Sequence, residues 1–225
     1  MTKSLSVVMM GASGAVGGQV LATLLARGEL SRLTLLGRRE IALAPSKAQV
    51  TQRMIDVADA SSYAPLIAGH LSAVCTLGVG ESSKLSHDEF VRIDRDYVIA
   101  FAQACKAAGV RHFELLGSAS ANSKSPSFYL RTKGELADAL VALNFQRLSL
   151  FQPSMILTPT NRYGFSQALT LAVWPKISPW MVGGLRKFRG VRVETLGAAI
   201  ANNLFTDGAG VERLHWDEFR ALAGG

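Results

Sequence analysis

Three glycines, each three residues after the last, separate a short apolar segment from a segment with helical periodicity. Residues 5–10 are apolar enough for a buried strand, and residues 16–27 repeat apolar side chains at helical spacing. Gly11, Gly14 and Gly17 therefore predict a tight turn from a first strand into a first helix. Because such a turn opens a βαβ unit, this feature favours an α/β fold.

Five more short apolar runs follow the first helix, each suited to a strand that is buried on both faces. They occupy residues 33–36, 50–55, 73–77, 112–116 and 147–151. Parallel neighbours in a sheet need long return connections, and helical patterns supply them here. The six runs therefore predict a Rossmann-type doubly wound parallel sheet with helices on both faces.

Two helices are predicted between the later strands. The first is short, at residues 61–69, and is capped by one of its first two serines. The second is long, at residues 86–108, and opens with Ser86 and Glu89 at the spacing of a capping box. Gly109 supplies its C-terminal stop.

The amino-acid composition changes after the sixth apolar run. Four of the seven prolines and two of the three tryptophans fall between residues 153 and 180. We therefore expect an NAD(P)-binding Rossmann domain at 1–155 and a small C-terminal lobe at 156–225, packed together as one compact unit. The lobe is expected to hold a helix near 195–205 and a final short strand and helix, and its aromatic residues either form a core or line an apolar substrate pocket.

Composition excludes several other classes of protein. With 225 residues, of which 48% are hydrophobic and 18% charged, the chain is too apolar for disorder. Cys75 and Cys105 lack metal-site spacing, so we expect no metal site and a reducing, cytoplasmic location. The longest apolar stretch, 168–185, is broken by two prolines and a lysine, so no membrane span is expected. The start of the chain could pass for a short signal peptide, but its small residues form the glycine fingerprint instead.

The glycine turn predicts a phosphate site. One glycine permits the turn, the second lets the backbone approach a pyrophosphate, and the third lets helix and strand pack closely, with phosphate at the positive end of the helix. The spacing differs from the commoner G-x-G-x-x-G fingerprint. The residues that we assign to this dinucleotide site are Gly11, Ser13, Gly14, Ala15, Val16 and Gly17.

The end of the second strand indicates which dinucleotide binds. An acidic residue there would accept hydrogen bonds from the ribose of NAD, but the strand ends in glycine followed by Arg38 and Arg39. Two guanidinium groups suit a 2′-phosphate, so NADP(H) is favoured. Glu40 leaves NAD open, because it becomes the ribose ligand if the strand ends two or three residues later.

Other strand ends complete the predicted cofactor site, because ligands of such sheets bind beyond the carboxyl ends of the strands. Asp56 and Val57 follow the third strand and are placed to approach the adenine. Leu77 and Gly78, after the fourth strand, leave room for the centre of the cofactor. We assign Pro153, after the sixth strand, to the same site.

A tyrosine and a lysine four residues apart predict a site for proton transfer. Tyr129 and Lys133 lie on one face of the helix after the fifth strand. The ammonium can lower the pKa of the phenol and orient the cofactor ribose, so that the tyrosine exchanges a proton near neutral pH. Ser118 is our choice for orienting a substrate carbonyl, and Ser120 is the reserve. Alternatively, the tyrosine ring only packs on its helix beside an exposed lysine, and each serine is an ordinary turn residue.

These motifs together resemble the atypical short-chain dehydrogenase/reductases. The residues that carry the likeness are 11–17, 36–39, 91–98 and 129–135, and within that family they are similar to the Tat-interacting-protein-like, NmrA-like branch. The resemblance covers residues 5–155 well and the rest loosely. It implies a Rossmann domain with a small substrate lobe, usually NADPH as cofactor, Tyr129 as acid and base, Lys133 as its partner and Ser118 as carbonyl orienter.

The chain also departs from that family. Residues 152–154 read Gln-Pro-Ser where relatives often have Arg-Pro-Gly. Asp94 falls near the position where many short-chain dehydrogenases place an asparagine that holds a relay water. The branch includes cofactor-binding regulators, so catalytic residues do not by themselves establish turnover.

The chain carries a net charge of +7, and part of this excess lies between Arg186 and Arg192. We favour a solvated edge of the lobe over contact with nucleic acid or anionic lipid, and expect no nucleic-acid partner. The leading hypothesis is an NADPH-dependent reductase of a small carbonyl compound that acts as a monomer or homodimer. The alternative is a non-catalytic NADPH sensor that engages a macromolecular partner.

Overall fold

The computed structural model describes residues 5–79, 85–158 and 181–224. The strands are β1 (Leu5–Met10), β2 (Leu30–Gly37), β3 (Gln49–Met54), β4 (Ser72–Cys75), β5 (His112–Leu116), β6 (Arg147–Phe151), β7 (Met155–Leu157), β8 (Gly190–Arg192) and β9 (Gly210–Leu214). The α-helices are α1 (Ala15–Ala26), α2 (His87–Val91), α3 (Tyr97–Ala107), α4 (Phe128–Ala142), α5 (Val193–Asn203) and α6 (Trp216–Ala223).

Seven parallel strands form the central sheet, in the order β3-β2-β1-β4-β5-β6-β9. Strands β7 and β8 pair separately. The order reverses between β1 and β4, so a crevice opens beyond the carboxyl ends of these two strands. The predicted Rossmann-type doubly wound sheet is confirmed.

Helices cover both faces of this sheet. Side chains of α3 and α4 pack on one face, and those of α1, α5 and α6 pack on the other. The five inner strands are mostly buried, which is why their sequences show continuous apolar runs rather than alternation, whereas the edge strands β3 and β9 are partly or fully exposed. Helices α1 and α4 begin directly at the edge where the predicted site lies.

The long predicted helix is present, with an irregularity in its middle. Ser86 and Glu89 form the capping box, each side chain accepting the backbone N–H of the other residue. Between α2 and α3, residues Arg92–Asp96 form a π-helical segment. Such segments rotate the side chains that follow, and they often occur at functional sites.

The short predicted helix is wrong in type and cap. Residues Ala60–Ser62 and Ala64–Ile67 form two 3₁₀ turns. The side chain of Asp59, rather than a serine, accepts the backbone N–H of Ser61, and a proline early in the second turn suits a new start.

The final strand lies in the central sheet. The sequence prediction grouped it with the small lobe, whereas β9 pairs with β6 and the backbone N–H of Gln152 bonds to the carbonyl of Leu214. Helix α5, near the predicted position, packs against α1. The division at residue 155 itself remains a prediction. Predicted contacts of the aromatic residues at 165, 174 and 180 fall outside the described residues.

Candidate functional site

The glycine turn closes as a tight loop between β1 and α1. Gly11 has φ +97°, a conformation that side chains other than glycine rarely adopt. Its carbonyl accepts the N–H of Gly14 at 3.0 Å. A Cβ on Gly17 would overlap the Gly11 carbonyl, and a Cβ on Gly11 would overlap the backbone of Thr76 and Leu77, so the turn packs directly against the backbone after β4.

The start of α1 is open to a ligand. Gly14 is the N-cap and has no side chain to satisfy the first N–H groups, and no acidic residue stands in the first turn, which begins with Ala15 and Val16. Gly11, Ser13 and Gly14 line a cavity of about 210 Å³ at this point. The donor groups and the positive helix end suit a pyrophosphate, so the turn fits the dinucleotide that the sequence predicts.

Arginines form the other wall of this cavity. Strand β2 ends at Gly37, and Arg38, Arg39 and Glu40 directly beyond it all line the cavity. Arg53 near the end of β3 adds a third guanidinium. Three cations against one carboxylate give this wall a positive charge, which suits a phosphate more than a neutral ribose. Glu40 nevertheless lies at the same wall, so the ribose alternative stays open.

The loop after β4 forms the centre of the site. Leu77 and Gly78 line the first cavity and also a neighbouring one of about 650 Å³. Val57 lines both cavities, and Asp56 lines the second. The Asp56 carboxylate is partly engaged, because it accepts the N–H of Ala58 at 2.9 Å.

Lys133 reaches this loop from α4. Its ammonium is buried and forms an ion pair with one carboxylate oxygen of Asp94, from the π-helical segment. The other Asp94 oxygen accepts the backbone N–H of Val79 at 2.7 Å. A Cβ built on Gly78 would lie 3.1 Å from Asp94 Oδ1 and 3.8 Å from Lys133 Nζ, so only glycine leaves this approach open.

Tyr129 lies one turn before Lys133 on α4. Its side chain is 37% exposed, and its ring packs against that of Phe90 with centroids 5.7 Å apart. Its hydroxyl has no hydrogen bond within the described residues. The two residues share a helix face, as the spacing predicts, but the contact partner of Lys133 is Asp94.

The serine candidates occupy different conformations. Ser118 is buried, and its hydroxyl donates to the neighbouring Ala119 carbonyl at a long 3.4 Å, which leaves it available for a better acceptor. Ser120 has φ +59°, a left-handed turn conformation. The Pro153 carbonyl accepts the Ala119 N–H at 2.9 Å, so Pro153 holds the loop that carries Ser118. Pro153 does not line either of the two cavities.

Cys75 ends β4 beside this site and is chemically inert. Burial raises the pKa of its thiol to about 12. A thiolate nucleophile is therefore not available near neutral pH. Within the described ranges, no group of three or more His, Cys, Asp or Glu side chains could hold a metal ion.

The sequence prediction missed several residues of the site. Arg53 and Gln52 on β3 line the first cavity, as does Thr76. Their position at a carboxyl strand end was a usable signal, because the same rule selected Asp56 and Val57. Asp94 was noted only as a departure from a family position, and its pairing with a lysine 39 residues away has no local sequence signal.

Comparison with known sequences identifies relatives over most of the chain. The family described as NAD(P)H-binding matches residues 11–147. Protein HTATIP2 of Rattus norvegicus is 34% identical over 206 residues, covering 91% of this chain and 83% of the relative. The mitochondrial protein FMP52 of Lodderomyces elongisporus is 30% identical over 163 residues, covering 69% of this chain and 68% of the relative.

Solved structures share the fold at low sequence identity. MoeE5 in complex with UDP-glucuronic acid and NAD superposes with a TM-score of 0.71 at 14% identity, covering 93% of this chain and 75% of that one. Triphenylmethane reductase of Citrobacter sp. complexed with NADP(H) superposes with a TM-score of 0.63 at 15% identity, covering 94% of this chain and 70% of that one.

None of the helices in the described ranges is both long and apolar enough to span a bilayer.

Proposed function

Since the chain belongs to the NAD(P)H-binding family, we propose that it is an NADPH-dependent oxidoreductase that reduces a small carbonyl compound. The observation that carries this proposal is the position of Lys133. Its buried ammonium lies beside Gly78, and Gly78 lines the same cavity as the glycine turn and the arginines. Helix α4, which carries Tyr129 and Lys133, therefore meets the loop that lines the dinucleotide site, and this supports a shared crevice, although Tyr129 itself lines neither cavity.

Each wall of the crevice has a distinct part in binding. The N–H groups at the start of α1 hold the pyrophosphate, and Arg38 and Arg39 hold the 2′-phosphate. Asp56 and Val57 would contact the adenine, and Leu77 and Gly78 would contact the centre of the dinucleotide. When bound, NADPH supplies the hydride for the reduction.

The proton comes from the protein. Tyr129, which is partly exposed on α4, donates its hydroxyl proton to the developing alkoxide. Ser118 donates a hydrogen bond to the same oxygen and so polarises the carbonyl. Lys133 keeps a positive charge on the tyrosine side of the cavity, and Asp94 holds that charge in place.

The cofactor preference can be tested by titration. Wild type is expected to bind NADPH at least about tenfold more tightly than NADH, because two guanidinium groups engage the 2′-phosphate. Replacing Arg38→Ala and Arg39→Ala together should weaken NADPH binding far more than NADH binding. Equal losses for the two cofactors would refute the 2′-phosphate assignment.

The reaction can be tested with a panel of aldehydes and ketones. We expect wild type to oxidise NADPH in the presence of at least one of them, and Tyr129→Phe to lower kcat by about a hundredfold or more with little change in NADPH affinity. Tyr97→Phe on α3, at a partly buried tyrosine that lines the second cavity, serves as a control for loss of a hydroxyl near the site. Turnover that is unaffected by Tyr129→Phe would refute the role of Tyr129.

A second candidate function is supported by the engagement of Lys133. Its partner is Asp94, and the Tyr129 hydroxyl is without a hydrogen bond in the described part of the chain. Such a site could bind NADPH as a signal, with a macromolecular partner recognising the loaded protein. Tight NADPH binding with no turnover on any carbonyl compound is the result that would favour this function.

The remaining expectations belong to the same proposal. A small carbonyl compound is the substrate, and the protein acts as a monomer or homodimer. The free, buried Cys75 and Cys105 suit a reducing compartment such as the cytoplasm, although the fungal relatives are named mitochondrial. Fractionation of the cells that make the protein would distinguish these locations.

A further inference from the structure

The segment after β2 turns back over the edge of the sheet. Arg38, Arg39 and Glu40 form an irregular arch between Gly37 and Ile41. One end of this arch is fixed by the sheet, because the Gly37 carbonyl accepts the N–H of Ile55 at 3.0 Å. All three residues of the arch line the cavity beside the glycine turn.

At the other end of the arch, one side chain makes both hydrogen bonds to the backbone of Ile41. This side chain is the amide of Gln52, on the edge strand β3. Its Oε1 accepts the Ile41 N–H at 3.1 Å, and its Nε2 donates to the Ile41 carbonyl at 2.9 Å. A carboxamide that donates and accepts at one residue copies the pairing of a neighbouring strand.

Few other polar contacts fix this stretch of chain. Beyond Ile41, the next side-chain anchor among the described residues is Ser46, whose hydroxyl donates to the Leu25 carbonyl at 3.0 Å. The Ile41 side chain packs against the core face that includes α1, which supports the same position. Without the Gln52 amide, the segment from Gly37 to Ser46 would lose its middle hydrogen-bonded anchor.

We propose that Gln52 is a positioning residue for cofactor specificity, which holds Arg38 and Arg39 ready for the 2′-phosphate. Two long side chains on a mobile loop would lose conformational freedom on binding, whereas an arch fixed at both ends has already lost part of it. We expect the larger effect for ligands that carry the phosphate, because the glycine turn and the loops after β3 and β4 bind the rest of the dinucleotide. This inference rests on the proposed preference for NADP(H).

Gln52→Met tests the role, because methionine keeps the length and the unbranched shape but makes neither amide hydrogen bond. Calorimetric titration with NADPH and NADH is expected to show about a tenfold loss of NADPH affinity and at most about a twofold change for NADH. Gln49→Met, at an exposed position on the same strand, is the matched control and should leave both affinities unchanged. Thermal unfolding of each variant identifies any general loss of stability.

A double-mutant cycle separates positioning from a structural effect. In the Arg38→Ala, Arg39→Ala background, Gln52→Met should change NADPH affinity by no more than about twofold, because the side chains that it positions are gone. A full additional loss in that background, or equal losses for NADPH and NADH, would overturn the inference.

The outcomes also distinguish this inference from the proposed function. If wild type prefers NADPH and Gln52→Met keeps that preference, the positioning role fails while the cofactor assignment stands. If wild type binds NADPH and NADH equally, the cofactor assignment fails and the positioning role fails with it.

Discussion

Asp94 places a buried carboxylate between the lysine of α4 and the backbone after β4. One oxygen pairs with Lys133, and the other accepts the Val79 N–H. Two buried opposite charges are stable only together, because each would otherwise lie unpaired in a region of low dielectric. Asp94 therefore links the helix that carries Tyr129 to the loop that lines the cofactor cavity.

Replacing one partner of this ion pair should lower the stability of the fold strongly, and replacing both partners should lower it by less than the sum of the two single changes. Asp94→Asn keeps an acceptor for Val79 but leaves Lys133 unpaired, so we expect the free energy of unfolding to fall by about 3 kcal/mol. Lys133→Met should cause a similar loss, and the double variant should lose clearly less than the sum of the two. Urea denaturation at neutral pH measures all three.

A surface ion pair provides the control for that cycle. Arg95 and Glu135 form an ion pair at 2.6 Å with both side chains partly exposed. Glu135→Gln should change stability by no more than about 1 kcal/mol. Additive losses for Asp94→Asn and Lys133→Met would contradict a coupled buried pair.

At the scale of elements, α1 and α5 pack more closely than two ordinary helices. A Cβ on Gly197 of α5 would overlap the Gln19 side chain of α1 and press on the Val20 backbone nitrogen, at 3.0 Å. The packing of α5 on α1 therefore requires a glycine in the middle of α5, although glycine is otherwise unfavourable inside a helix. The close packing fixes α5 on the same helix whose start forms the phosphate site.

Two glycine substitutions test this packing. Gly197→Ala should destabilise the protein by about 1–3 kcal/mol, because the added methyl has no space. Gly18→Ala, within α1, should instead be neutral or stabilising by up to about 1 kcal/mol, since its Cβ would meet only the Ala12 carbonyl at 3.8 Å. Chemical denaturation compares them, and equal effects would count against a close contact specific to Gly197.

The elements that sequence patterns predicted correctly are those with strong local signals. Five of the six predicted runs became strands whose residues are mostly buried, and the Ser86 capping box has a spacing of its own. The run at 50–55 also forms a strand, β3, but the expected burial on both faces is wrong there, because β3 lies at the sheet edge. The sequence prediction grouped strand β9 with the small lobe because β9 has no continuous apolar run. Its residues are partly or fully exposed at the sheet edge. Its pairing with β6 joins residues about 60 positions apart, which local patterns do not encode.

The candidate site residues show the same difference between local and long-range signals. Residues 11–17 and 38–39 could be proposed from the sequence because glycines and arginines at a strand end have a direct physical meaning. The ion pair of Asp94 and the hydrogen bonds of Gln52 to Ile41 have no such signal, because each depends on a contact between separate elements. Candidate residues with local signals were therefore predictable, whereas contacts between elements needed the fold.

Over the whole molecule, ionisable groups are buried at sites away from the cofactor crevice. His70 is bonded to Ser6 and Thr34, and burial, followed by the nearby Arg32, lowers its pKa to about 4. Burial likewise raises the pKa of Glu114 well above its usual range. These groups link the stability of the entire fold to pH.

Removing His70 should reduce the sensitivity of the fold to acid. Between pH 6.5 and about 4 the unfolded chain binds a proton at this histidine and the native state does not, so stability falls as pH falls. His70→Gln should weaken this dependence by about 1.4 kcal/mol per pH unit in that window and leave the dependence above pH 7 unchanged. Exposed His87→Gln is the control, and equal slopes for His70→Gln and wild type would contradict the assignment.

In the proposed reaction, one crevice binds NADPH and delivers hydride and proton to a carbonyl. This reaction is tested by the transfer of deuterium from NADPH that carries deuterium at both nicotinamide C4 positions to the product of an active carbonyl substrate, followed by mass spectrometry. Wild type is expected to place the label on the former carbonyl carbon, and Tyr129→Phe to do so at least about a hundredfold more slowly. Unlabelled product, or label transferred equally fast by Tyr129→Phe, would contradict the account.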